Sequence, residues 1–146
     1  MVGISGAGKS TFIENFLKSH PNVIVHSSDK LRGILGRDET DQSVTAQVFS
    51  TIKYNLNRDL AAGKDVMVDA TSLNPRERKD YILTAKRYSA KVVAYVLERD
   101  KNTLMKNQAK RKAAGGREVP EFVIDKMISK YVRPSTSEGF DEVILV

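Results

Sequence analysis

The sequence predicts an α/β domain, a parallel sheet with helices on both faces, and three observations carry that prediction. Short β-branched runs alternate with amphipathic stretches along the chain. The runs are apolar at successive positions, as strands covered on both faces must be. A glycine-rich loop, GISGAGKST at residues 3–11, stands between an apolar start and a helical pattern. The 146 residues form one domain, 1–146, large enough for a single core and small for two.

Met1 and Val2 are the first apolar stretch. After the loop, Phe12, Ile13, Phe16 and Leu17 recur at helical spacing, and Pro21 ends that helix. VIVHS, residues 23–27, reads as a buried strand. Asp29 opens a short helical segment, DKLRGIL, weakened by Gly33 and Gly36. A long helix from Asp41 to Ala62 carries Val44, Val48, Ile52 and Leu56 on one stripe, with Gly63 as its stop. DVMVDAT, residues 65–71, is the next strand. Asn74 caps the following helix, Pro75 takes its first position and Glu77 closes a capping box. This helix runs to about Ser89, and KVVAYVLE, residues 91–98, is a third interior strand. A basic helix over residues 102–113 ends in GGREVP, a second helix covers 121–132, and FDEVILV is the last strand.

Composition narrows the chemistry. The chain has no cysteine, which removes disulfides and thiolate metal sites, and its two histidines, His20 and His26, cannot build a zinc site alone. No apolar run reaches membrane-spanning length and residues 1–20 lack a signal-peptide pattern, so the expected location is the cytoplasm, with no membrane partner. Lys and Arg number 24 against 18 acids, a net charge of +6, which favours a polyanionic partner.

Gly3, Gly8, Lys9 and Ser10 satisfy G-x-x-x-x-G-K-[ST], the phosphate-binding loop. Its glycines allow successive N–H groups to turn onto a β-phosphate. The expected nucleotide-binding set is Gly3, Ser5, Gly6, Ala7, Gly8, Lys9, Ser10 and Thr11. Lys9 would reach the β- and γ-phosphates of ATP, and Ser10 would give a hydroxyl to Mg2+. Reactive groups collect at the carboxyl ends of such strands, where Asp29 and Asp69 stand. Asp29 and Arg32, three apart, face one acceptor if they share a helical turn. A carboxylate beside a guanidinium suits a hydroxyl next to a phosphate, although Asp29 could instead be a helix cap with Arg32 solvated. Asp69 reads equally as a magnesium ligand or as an acid tying loops together. Lys106, Lys110, Arg111, Lys112 and Arg117 form either a solvated face or a mobile lid that brings an arginine onto the transferring group. Arg99-Asp100-Lys101-Asn102 does not match the guanine-reading motif of GTPases.

GISGAGKST, VHSSDKLRG, VDATSLNPRERK and LMKNQAKR, with VP a few residues on, resemble the 5′-kinase domain of bacteriophage polynucleotide kinase and its relatives over nearly the whole chain. The tail, RPSTSEGFDEVILV, is similar to the end of that domain in eukaryotic polynucleotide kinase–phosphatases. The resemblance implies a P-loop kinase fold with five parallel strands and transfer of the ATP γ-phosphate to the 5′-hydroxyl of DNA or RNA. It makes Lys9, Asp29, Arg32 and Arg111 the catalytic set: Asp29 the general base, Arg32 the contact to the acceptor's phosphate, Arg111 the lid arginine. Asp69 matches a supporting acid, with Ser10 at the metal. Asn107 stands where the phage enzyme has a basic residue, and Ser27-Ser28-Asp29 replaces its Arg-Asp-Asp. No Asp-x-Asp phosphatase motif is present, so 3′-phosphatase activity is not expected.

Two rival readings remain: a small-molecule kinase on the same fold, and an ATP-hydrolysing nucleic-acid-binding module. Only Met1 and Val2 precede the loop, against about five or six residues in a mean strand, and the chain stops in an apolar run at Val146. The expectation is a domain trimmed at both ends.

Overall fold

The computed structural model describes residues 1–146. Ten regular elements follow in the order α1 (Lys9–Ser19), β1 (Ile24–Ser27), α2 (Ser28–Leu35), α3 (Thr45–Ala61), β2 (Val66–Asp69), α4 (Pro75–Arg87), β3 (Val93–Val96), α5 (Lys101–Ala113), α6 (Glu121–Lys130) and β4 (Glu142–Leu145). Short 3₁₀ turns at Gln42–Val44 and Thr136–Glu138 precede α3 and β4. The alternation of strand and helix is the one the sequence predicts.

The five-stranded sheet is not what forms. There are two two-stranded parallel sheets, β1 with β2 and β3 with β4, in register from Ile24–Val66 to Ser27–Asp69 and from Val93–Glu142 to Val96–Leu145. Residues 1–3 run between them: the Met1 nitrogen donates to the Val68 carbonyl (2.9 Å), Val2 N–H to Tyr95 (2.9 Å) and Gly3 N–H to Thr71 (3.1 Å), while Leu97 N–H donates to Val2 (2.9 Å). Val2 and Val96 make a single parallel bridge. A cavity of about 610 Å3 lies between the two sheets, lined among others by Met1, Val2, Met67, Val68, Ala94 and Tyr95.

The expected helix from Asp41 begins instead as a 3₁₀ turn, because the Asp41 carboxylate accepts from both the N–H and the hydroxyl of Ser43 (3.0 and 2.6 Å). Val48, Ile52 and Leu56 then form the buried stripe of α3. A second cluster, Ile4, Ala7, Leu73, Leu97, Leu104, Val119 and Ile124, packs the phosphate loop against α5 and α6. At the start of α4 the Asn74 side chain accepts from Glu77 N–H (3.1 Å). The return half of the capping box differs from expectation: Glu77 accepts from Leu73 N–H and from the Asn74 amide, both at 2.8 Å. Arg78, read from sequence as one more helix residue, is buried. It grips Glu138 with two bonds of 2.8 and 2.7 Å and donates to the Ser72 carbonyl at 2.9 Å, fixing the loop after β2, where Ser72 has φ 49°.

Candidate phosphoryl-transfer site

The phosphate loop connects the Met1–Gly3 segment to α1, and two glycines set its path. Gly6 (φ 89°) and Gly8 (φ 98°) hold left-handed conformations that a side chain resists, with Gly8 at the N-terminal cap of α1. A Cβ on Gly6 would lie 2.8 Å from Gln108 Nε2 and 3.1 Å from the Leu104 carbonyl, so α5 presses directly on the loop. Asn107 Nδ2 donates to the Gly6 carbonyl (2.8 Å), and Gln108 Nε2 donates to Ser5 Oγ (3.2 Å). The other end of the Gln108 amide accepts from Val119 N–H (3.1 Å). Asn107, which departs from the basic residue of the resembling family, is thus a loop contact.

Lys9 folds back over the loop, donating to the carbonyls of Gly3 (2.8 Å) and Ile4 (3.2 Å). Burial lowers its pKa from the ordinary lysine value; the carboxylates of Asp69 and Asp29 oppose that shift and the Arg111 guanidinium adds to it. Four predicted site residues therefore share one electrostatic neighbourhood. Ser10 and Thr11 sit exposed in the first turn of α1, where backbone N–H groups lack helical acceptors.

Across the cleft, α2 begins at Ser28 with Ser27 in the cap position, which places Asp29 inside the first turn rather than at the cap. Arg32 Nη1 pairs with Asp29 Oδ1 at 3.0 Å; the three-residue spacing puts both on one helical turn, and in the structure they meet each other. The Arg32 side chain is buried, and its Nε has no hydrogen-bond partner. A buried guanidinium with an orphan donor is costly to keep and well suited to meet an anion. Asp69 ends β2, with its backbone carbonyl taking the Ser28 hydroxyl (3.3 Å) and its carboxylate left for other work.

Arg111 lies in the last turn of α5 and reaches back to the Glu39 carboxylate (3.5 Å). Arg117 joins it, 3.8 Å from the Asp29 carboxylate and donating to the Glu39 carbonyl at 3.2 Å. Sequence reading counted Arg117 among the basic residues of a lid but missed its reach to Asp29, and missed Glu39, Asn107 and Gln108 as contacts. Nothing local to those residues signals partners so distant in sequence.

No three His, Asp or Glu side chains converge as a metal cage. Magnesium binds through one or two oxygen ligands, phosphates and water rather than an all-protein shell. The Ser10 hydroxyl and the Asp69 carboxylate are oxygen donors of that kind.

A family profile, AAA_33, described as an AAA domain, matches residues 1–134. The chain belongs to that family. It is 26% identical over 145 residues to an L-seryl-tRNA(Sec) kinase of Methanococcus maripaludis, covering 97% of this chain and 54% of the relative. It superposes with a TM-score of 0.78 and 25% identity on a chain of the Pnkp1/Rnl/Hen1 RNA repair complex, covering 88% of this chain and 42% of that one. The chain thus spans about half the length of the relatives it matches. The fold is that of a kinase-type P-loop domain. No helix is long and apolar enough to cross a membrane.

Proposed function

We propose that this domain is an ATP-dependent polynucleotide kinase, transferring the γ-phosphate to the 5′-hydroxyl end of DNA or RNA. The observation that carries the reading is the Asp29–Arg32 pair facing the Lys9 loop: a half-exposed carboxylate, and a buried guanidinium with a donor to spare. A hydroxyl beside a phosphodiester needs both. The likeness to a seryl-tRNA kinase and to an RNA repair complex supports an acceptor carried on nucleic acid.

In this reading Lys9 leaves the Gly3 and Ile4 carbonyls for the β- and γ-phosphates, and the loop N–H groups hold the phosphate chain. Ser10 and Asp69 would hold Mg2+, which neutralises charge on the phosphates. Arg32 fixes the acceptor's phosphate so that the hydroxyl lies against Asp29. Asp29 takes the hydroxyl proton as the oxygen–phosphorus bond forms and the bond to the departing ADP breaks. Arg111 exchanges Glu39 for the transferring group, where fixed charge supplies most of the acceleration.

Labelled ATP offered with 5′-hydroxyl oligonucleotides, with small hydroxylated phosphates and with water alone tests the assignment. Transfer to the oligonucleotide's 5′ end is expected. Transfer to small molecules alone, or release of phosphate alone, overturns it in favour of a metabolite kinase or an ATP-hydrolysing binding module.

A further inference from the structure

A groove of about 360 Å3 opens between α3 and α4 beside the carboxyl end of β2. It begins at Ala70 and Thr71, immediately after Asp69, and its walls include Phe49 and Lys53 of α3 and Arg76 and Asp80 of α4. Each of these helices leads from the carboxyl end of one parallel strand back toward the start of the next, so both begin on the side of the site. Phe49 and Arg76 therefore stand one helical turn nearer the site than Lys53 and Asp80, their neighbours four residues on. Lys53 and Asp80 close the groove farther down with an ion pair of 3.2 Å.

The fold makes little use of the two residues at the mouth. Phe49 lies off the Val48, Ile52 and Leu56 stripe and is 40% exposed, lining the groove instead of the core. Arg76 is exposed in the first turn of α4. An aromatic face beside a cation, in a groove that starts just past Asp69, is the chemistry that binds one unstacked base and its phosphate. The volume sits near the low end of small-ligand sites, about 300 to 1,000 Å3, which leaves room for one nucleotide.

We propose that this groove is the acceptor-strand subsite: a base near the 5′ end of a single strand stacks on Phe49 while Arg76 holds the adjoining phosphate. The proposal rests on the polynucleotide kinase reading and adds to it a single-stranded end. Glu77, also in the lining, is committed to Leu73 and Asn74 and stays with the scaffold.

The test is steady-state phosphorylation of a single-stranded 5′-hydroxyl oligonucleotide, and of versions lacking the base at the first or the second position. Phe49→Ala should raise the acceptor KM about tenfold, within the range that base–aromatic stacking supports, and leave the ATP KM unchanged. Phe49→Trp should retain native acceptor binding. The Phe49→Ala penalty should vanish on one of the two abasic acceptors, and Arg76→Ala should weaken all three acceptors and flatten the salt dependence. Efficient transfer with a Phe49→Ala acceptor KM within about twofold of native would overturn the subsite while leaving the kinase reading intact, as would a penalty that persists on both abasic acceptors. Absence of transfer to any oligonucleotide by the native chain sinks the reading itself and the subsite with it.

Discussion

Glycine turns and amide hydrogen bonds hold the phosphate loop, whereas ion pairs hold the facing half of the cleft. Gly6 and Gly8 adopt angles only glycine takes easily, the Gly3 N–H is bonded across to Thr71, and α5 clamps the loop through Asn107 and Gln108. Opposite it, Asp29 is held by Arg32 and approached by Arg117, while Arg111 and Arg117 are parked on Glu39. Glycine turns and buried amide bonds are expensive to rearrange. Half-exposed ion pairs such as Arg111–Glu39 are worth about 1 kcal/mol or less and exchange readily for a better anion. The difference teaches where the molecule is built to stay still and where it is built to give way: rigid around the loop glycines, yielding among the arginine–carboxylate pairs.

Substitutions can break that contrast, and the largest effect should come from the yielding side. Arg111→Ala is expected to lower kcat on the order of a thousandfold with ATP affinity nearly unchanged, as for arginines supplied to a transferring phosphoryl group. Equal losses in both, by single-turnover assay and ATP titration, would make Arg111 a binding residue. Asp29→Asn should cost about a hundredfold in kcat, the scale of general base catalysis, with little change in melting temperature because its carboxylate is half exposed. On the rigid side, Gly6→Ala combines strained φ with a Cβ pressed on Gln108. It should weaken ATP binding roughly tenfold and lower thermal stability, since such strain is worth about 1–3 kcal/mol. The smallest effect belongs to Glu39→Gln, which releases Arg111 and should change kcat no more than about fivefold, upward, by steady-state assay. A fall of that size would mean that Glu39 positions the lid instead of restraining it.

Much of this was legible in the sequence because it is local. The loop, VIVHS, DVMVDAT, the Val48–Ile52–Leu56 stripe and the Asn74 cap are set by neighbours within a few residues; each forms where expected, with the two strands trimmed to Ile24–Ser27 and Val66–Asp69 and Val44 left in the 3₁₀ turn. Helical spacing alone puts Asp29 and Arg32 on one turn; their bond to each other is the structure's addition. What escaped lies in pairings far apart in sequence. Asn107 meets Gly6 across 101 positions, Arg117 meets Glu39 across 78, and Arg78 meets Glu138 across 60. Periodicity carries no information about such partners, and a polar residue bound for a buried ion pair reads like one bound for solvent. The sheet centre escaped for another reason. Residues 1–3 act through single bonds to both flanks, a role that strand propensity does not describe.

The Gln108 amide has a mechanical consequence. Fully buried and pinned at both ends, to Ser5 and to Val119, it makes the middle of α5 an anchored beam rather than a swinging door. Any travel of Arg111 must then come from bending beyond the anchor, over a single helical turn and the Gly115-Gly116 joint, where the φ of Gly115 is 79°. The bonds at Ser5 and Gly6 are thus the points where the middle of α5 bears on the loop.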